Sequence, residues 1–233
     1  MKKLFLMLTC ILAVAVVSAQ SLDEIVKKYS AAMKTDQLAN IKTIKITAKM
    51  SAMGMDMPMT LYMKNPNKVK SVTSFNGQEI VSVFDGEKGY MMSPMTGTAP
   101  VELTGAQLKQ VQDNNAFQNE LLDYFKNGQL TLEGEDNVNG NPAFKLKANI
   151  EGGNPVYMSI DKSTYQIVKT STKVDQMGQI MDVDSFMSDY TDIQGVVLPK
   201  KITLSTSGME VGAITYDNIE VNIPIEDSEF KLK

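Results

Sequence analysis

The sequence predicts a mainly β fold of the α+β class, a large antiparallel sheet with two helical segments on one apolar face. Three observations predict it. From Ile41 onward, apolar residues recur at every second position over most of the chain. Asn76-Gly77, Asp85-Gly86 and Asn139-Gly140 are hairpin dipeptides set between such runs. Helical spacing occurs in only two stretches, one from Leu22 and one from Thr104. A meander that carries two helices has to place them over one apolar face of its sheet.

The chain opens with Lys2 and Lys3, an apolar run, and the small residues Val17-Ser18-Ala19. This pattern predicts a secretory signal peptide over residues 1–19, cleaved after Ala19; the run is too short and wrongly flanked to span a membrane. Cys10 lies inside the apolar run, after Thr9, and reads as ordinary signal sequence rather than a lipidated cysteine. The expected mature chain, residues 20–233, forms one domain and contains no cysteine, which excludes disulfide, thiol-nucleophile and zinc–thiolate chemistry. Cleavage removes two lysines and no acid, so the net charge moves from −4 to −6. Every basic residue is lysine. An acidic surface without arginine argues against nucleic acid and against anionic lipid surfaces as partners.

Ser21-Leu22-Asp23-Glu24 is a capping box, and Leu22, Ile25, Val26, Tyr29 and Met33 follow at helical spacing. They predict an amphipathic helix of about five turns. In the first strand Ile44, Ile46, Ala48 and Met50 face one way, with Thr43, Lys45, Thr47 and Lys49 opposite. Gly54-Met55-Asp56 reads as a turn and MPMTLYM as the partner strand. Strands follow near 68–75, 79–85 and 88–93. Thr104 with Gln107 is a second capping box, opening a helical stretch with Leu108, Val111, Phe117, Leu121, Leu122 and Phe125. Asp113-Asn114-Asn115 is a break point and Gly128 the end. The remainder is strand and turn: LTLEGEDNV with AFKLKANI, then PVYMSID, YQIVKTSTKV, IMDVDSFMSDY, VVLPKKITLST and EVGAITYDNIEVNI.

Without histidine, the commonest general base and imidazole metal sites are absent. Asp182, Asp184 and Asp189 lie close in sequence, as do Glu133, Glu135 and Asp136. Asp182 and Asp184 share one strand face that could hold Ca²⁺ or act as an acid/base pair, but a solvated outer face is the favoured account of both groups. No GxSxG elbow or Walker loop is present. The expectation is a protein without catalysis, cofactor or resident metal.

The string LYMKNPNKVKSVTSFNGQEIVSVFDGEKGYMMSPMTG, with the later Gly195-Val196-Val197-Leu198-Pro199-Lys200, resembles the LolA-like family of periplasmic outer-membrane lipoprotein-sorting proteins. The order of helix, strands, helix and strands fits the same family over the whole mature chain. The resemblance implies an unclosed antiparallel half-barrel whose helices form a lid over an apolar cavity, in a periplasmic monomer that carries lipid or acylated protein. It allows contact with envelope membrane proteins. By position, Asn65 falls where the carrier has an arginine tying the lid down, Tyr62 where it has a tryptophan, and Val69 where it has a cavity aromatic. Asn65 has two donors on a short stem and cannot span a cavity mouth. The lid is then expected to be held mainly by apolar contact of the first helix.

Residues 50–63, MSAMGMDMPMTLYM, hold six methionines. Thioethers are flexible and polarizable, suited to a face that adapts to its partner. The expected ligand face comprises Ile44, Ile46, Met50, Met59, Leu61, Tyr62, Met63 and Val69. The expected lid comprises Leu22, Ile25, Tyr29 and Met33, together with Leu108, Val111, Phe117 and Leu121, and Asn65 at its edge. Two further readings stay open: an envelope sensor or protein-interaction module with a filled core, and a Cu(I) site built from the methionines, with Met91, Met92 and Met95 as a second cluster.

Overall fold

The computed structural model describes residues 20–52, 54–94, 97–176 and 179–232. The expected signal peptide, with Cys10, lies outside the described residues, as do Met53 and Met95. Helix α1 spans Leu22–Ala32 and starts on the predicted capping box, with the Glu24 amide donating to Ser21 Oγ at 3.3 Å and the Ser21 amide to the Glu24 carboxylate at 3.2 Å. It has three turns, not five. The chain leaves the helix at Met33 and Lys34 adopts a φ of 50°, a stop that apolar spacing does not register because Met33 still sits on the apolar face.

Six strands follow: β1 Thr43–Ala52, β2 Met55–Lys64, β3 Lys68–Phe75, β4 Gln78–Phe84, β5 Gly89–Ser93 and β6 Gly97–Leu103. Then come α2 Gly105–Asp113 and α3 Glu120–Lys126. Seven strands complete the fold: β7 Leu130–Val138, β8 Asn141–Ala148, β9 Val156–Asp161, β10 Ile167–Gln176, β11 Gln179–Ile193, β12 Val196–Thr206 and β13 Met209–Val221. All thirteen join one antiparallel sheet in the order β6-β5-β4-β3-β2-β1-β13-β12-β11-β10-β9-β8-β7. The sheet is an unclosed half-barrel: β6 and β7 are its two edges, and β1 pairs with β13 at its centre, Ile44 opposite Val221.

That order explains the lid. β6 and β7 are consecutive strands at opposite edges, so residues 104–129 have to cross a face of the sheet to join them. The crossing contains both α2 and α3. The expected single helical stretch is interrupted over residues 114–119, and the expected second capping box does not form, since Thr104 makes no side-chain cap bond. Asn119 caps α3 instead, accepting from the Leu122 amide at 3.2 Å. β6 was not foreseen from its sequence, GTAPVEL, which lacks a clean two-residue period. The expected turn at Gly54-Met55-Asp56 is shorter: Gly54 is in the turn with a φ of 74°, but β2 already begins at Met55, paired with Ala52.

The two faces of the sheet have different covers. On the inner face, α1 and α3 pack Ile25, Val26, Tyr29 and Leu121 against Leu130, Leu146, Met158 and Ile160. Ile44, Ile46, Met59, Leu61, Met63, Val196 and Ile219 form a second cluster at the centre. Val111 of α2 packs on Phe84 and Leu103. The outer face of β3 and β4 is covered by residues 223–232, whose Ile225 and Phe230 are buried against Val81 and Val83. Lys64 and Lys68 both pair with Asp227, at 2.7 and 3.1 Å, and Lys70 pairs with Glu229 at 2.9 Å. Of the acids singled out in the sequence, Asp182 pairs with Lys173 and Asp184 with Lys169 on the outer face, while Glu135 stands in register with the core residue Phe144.

Candidate apolar-ligand site

The loop over residues 114–119 hangs between the two helix-covered parts of the inner face and is held by specific bonds. Asn115, 4 % exposed, accepts from the Phe117 amide at 3.0 Å and donates to the Pro66 carbonyl at 3.2 Å. The Ala116 amide points at the Met63 sulfur, 3.3 Å away. Asn119 donates to the Tyr29 hydroxyl at 3.0 Å, linking the loop to α1. The lid is fastened by these polar ties in addition to the apolar contacts of α1 and α3.

Beneath this loop and α1 lies a cavity of about 260 Å³. Its floor is apolar and buried, formed by Leu121, Met158, Val196 and Val197, with Tyr29 on one wall. Its mouth is polar: Thr35 and Asn119 are half-buried there, and Gln118 and Glu120 exposed. Burial pushes the Tyr29 phenol up to about 12, against a smaller opposing effect of its bond to Asn119, so the hydroxyl stays neutral. Tyr190, whose hydroxyl donates to the Ile167 carbonyl at 2.6 Å, is also raised by burial. The Gly195 motif shapes one wall. Gly195 has a φ of 90°, which strains any side chain, and a Cβ there would lie 3.3 Å from Gln37 Cβ, so glycine suits the close start of β12 against the segment after α1. Val196, Val197 and Leu198 then run along the cavity.

Beyond the lid, the inner face continues uncovered toward the hairpin ends. Exposure along the β2 row rises steadily: Met63 2 %, Leu61 4 %, Met59 7 %, Met57 half-buried, Met55 43 %. Met50 lies opposite Met57, and Ile202, Leu204 and Ile214 flank them on β12 and β13, all half-buried. The alternation thus runs unbroken through Met57 and Met55, where the sequence reading expected it to fail at a turn. This row is an apolar trough leading away from the central cluster. The same residues offer three thioethers on one face, Met50, Met55 and Met57. Met91 does not join them, since three strand steps separate β5 from β2, and Met92 packs with the C-terminal segment on the outer face.

Of the expected ligand-face residues, Ile44, Ile46, Met59, Leu61 and Met63 share the central cluster, Met50 borders it, and Val69 pairs with Met63. Tyr62 is displaced: it lies on the outer face, between Lys45 and Lys70 at 6.0 and 5.7 Å from its ring. Asn65 donates to the Ile41 carbonyl at 2.8 Å and makes no bond to the lid loop; its neighbour Pro66 receives the tie from Asn115. Of the expected lid residues, Ile25, Tyr29 and Leu121 are buried over β7–β10, with Leu22 and Met33 packed beside them. Leu108 and Val111 cover the other side, and Phe117 packs on the central cluster. Only Tyr29, Met33 and Leu121 among all these reach the cavity. The cavity wall from β9, β10 and β12 was missed, although PVYMSID carried the alternating apolar pattern and VVLPK a continuous apolar run, both marks of buried strand.

No family profile matches the sequence, and no curated protein matches it. Solved structures do. A putative outer membrane lipoprotein-sorting protein domain from Vibrio parahaemolyticus superposes with a TM-score of 0.61 at 11 % identity, over 89 % of this chain and 94 % of that one. A DUF1329 family protein from Desulfovibrio piger gives 0.60 at 16 %, over 89 % and 97 %. A LolA superfamily protein from Nitrosomonas europaea gives 0.57 at 14 %, over 92 % and 99 %.

Proposed function

We propose, from the premise that this chain has a divergent LolA-like fold, that it is a non-catalytic periplasmic carrier for a lipid or a lipidated polypeptide. One observation carries the reading: an apolar-floored cavity under a hydrogen-bonded lid, beside an uncovered apolar trough. Acyl chains supply the matching chemistry, since each methylene removed from water contributes about 0.8 kcal/mol. The lid helix α1 supplies the closing surface, with Ile25, Val26 and Tyr29 buried beneath it.

A fluorescent fatty-acyl probe tests the proposal. Ile25→Glu places a charge beneath α1 and is expected to alter probe affinity strongly, while Asn65→Ala, which removes only the bond to the Ile41 carbonyl, changes it little. Circular dichroism checks that both variants fold. Loss of binding in Asn65→Ala with a silent, folded Ile25→Glu contradicts the lid assignment. A second reading, a protein-interaction module, is favoured by the exposed Met55, Val174, Ile180, Met209 and Val211 at the ends of three neighbouring hairpins.

A further inference from the structure

The carrier reading leaves the ligand class open, and the cavity's size and charge narrow it. An apolar cavity of about 150 Å³ accommodates benzene, six carbons. In proportion, the 260 Å³ under α1 has room for about ten carbons. That is one chain of medium length.

The mouth decides what head the chain carries. Thr35, Gln118 and Asn119 present neutral donors and acceptors, and Tyr29 stays protonated beside them. Glu120 is the single charged residue lining the cavity, and it is negative. Lys34 pairs with Asp192, Lys109 lies 3.7 Å from Glu120, and Lys126 lines the adjoining pocket; none of the three lines this cavity. A carboxylate drawn into this cavity would lose water with no lysine among the lining residues to meet it, beside Glu120, whose charge Lys109 offsets only in part across 3.7 Å. An ester or amide carbonyl would meet the side-chain amides of Gln118 and Asn119 and avoid both costs.

We infer that the closed cavity takes a single acyl chain of about ten carbons linked to an uncharged head by an ester or amide, and discriminates against the free fatty-acid anion. The inference rests on the carrier reading. Monoacylglycerols and fatty acids with chains of about 8, 10, 12 and 16 carbons serve as probes, competed against a fluorescent acyl reporter at neutral pH, with native mass spectrometry reading stoichiometry. The expected result is one ligand per chain, an optimum near ten carbons, and neutral ligands bound at least about tenfold more tightly than anions. Ala116→Leu, which adds bulk at the wall, shifts the optimum to shorter chains, and Glu120→Gln raises the affinity for the anion. Equal or tighter binding of the anion, an affinity that keeps rising to the longest chain, or several chains per protein overturns the inference while leaving the carrier reading standing. Absence of binding by every acyl compound overturns both.

Discussion

Asn115 shows how a single side chain sets the lid. Its amide is buried and bonds both its own loop and the Pro66 carbonyl. Asn115→Ala removes these bonds and is expected to cost about 1–3 kcal/mol, with the loss concentrated in faster hydrogen exchange over residues 114–119. Uniform loss of protection across the sheet would contradict a local fastening. Tyr29 gives a pH signature. Its folded value of about 12 lies above the ordinary 10.0, so its contribution is complete below pH 10 and is lost as pH rises toward 12. Thermal melts between those values should show a fall in stability that Tyr29→Phe reduces; an equal fall in the variant contradicts the assignment. The sequence exposed Asn65 as too short to latch a lid, because reach follows from side-chain length alone. Asn115 was legible only as a helix breaker, since its partner Pro66 is distant in sequence.

Among the elements, α1 was legible at its start and not at its end: a capping box is a local pattern, whereas the stop at Met33 follows from a backbone turn. β6 was illegible because GTAPVEL gains its strand conformation from pairing with β5. The C-terminal segment 223–232 has a role that periodicity could not reveal, closing the outer face over Val81 and Val83. Its electrostatic clasp is testable. Hydrogen bonds from Lys64 and then Lys68 hold the Asp227 carboxyl below the usual carboxylate range. A depressed value means that this support is present above pH of about 4 and is lost as pH falls through the folded value. Protection from hydrogen exchange over residues 223–232, relative to the intrinsic rate at each pH, is expected to fall on acidification below that point, and Asp227→Asn to give the lower protection already at neutral pH. A segment equally protected in the variant would show that Ile225 and Phe230 hold it alone.

At the scale of the whole molecule, the strand succession was legible because each hairpin is announced by its own turn and by alternating residues. The site was less so. The pairing of β1 with β13 joins residues far apart in sequence, and it alone makes β6 and β7 opposite edges and forces residues 104–129 across the inner face. The cavity forms where that crossing passes over β9, β10 and β12, so its wall comes from strands that sequence reasoning had left as plain sheet. Met59 and Met63 share the central apolar cluster rather than the cavity lining, and the row continues through Met57 and Met55 into the trough, where a turn was expected. The central claim is that this half-barrel holds an acyl ligand under its lid, and native mass spectrometry of the protein released gently from the cells that make it tests it most directly. The account predicts a mass increment equal to a bound acyl species, removed by solvent extraction without unfolding; a ligand-free chain accompanied by a stoichiometric protein partner would contradict it.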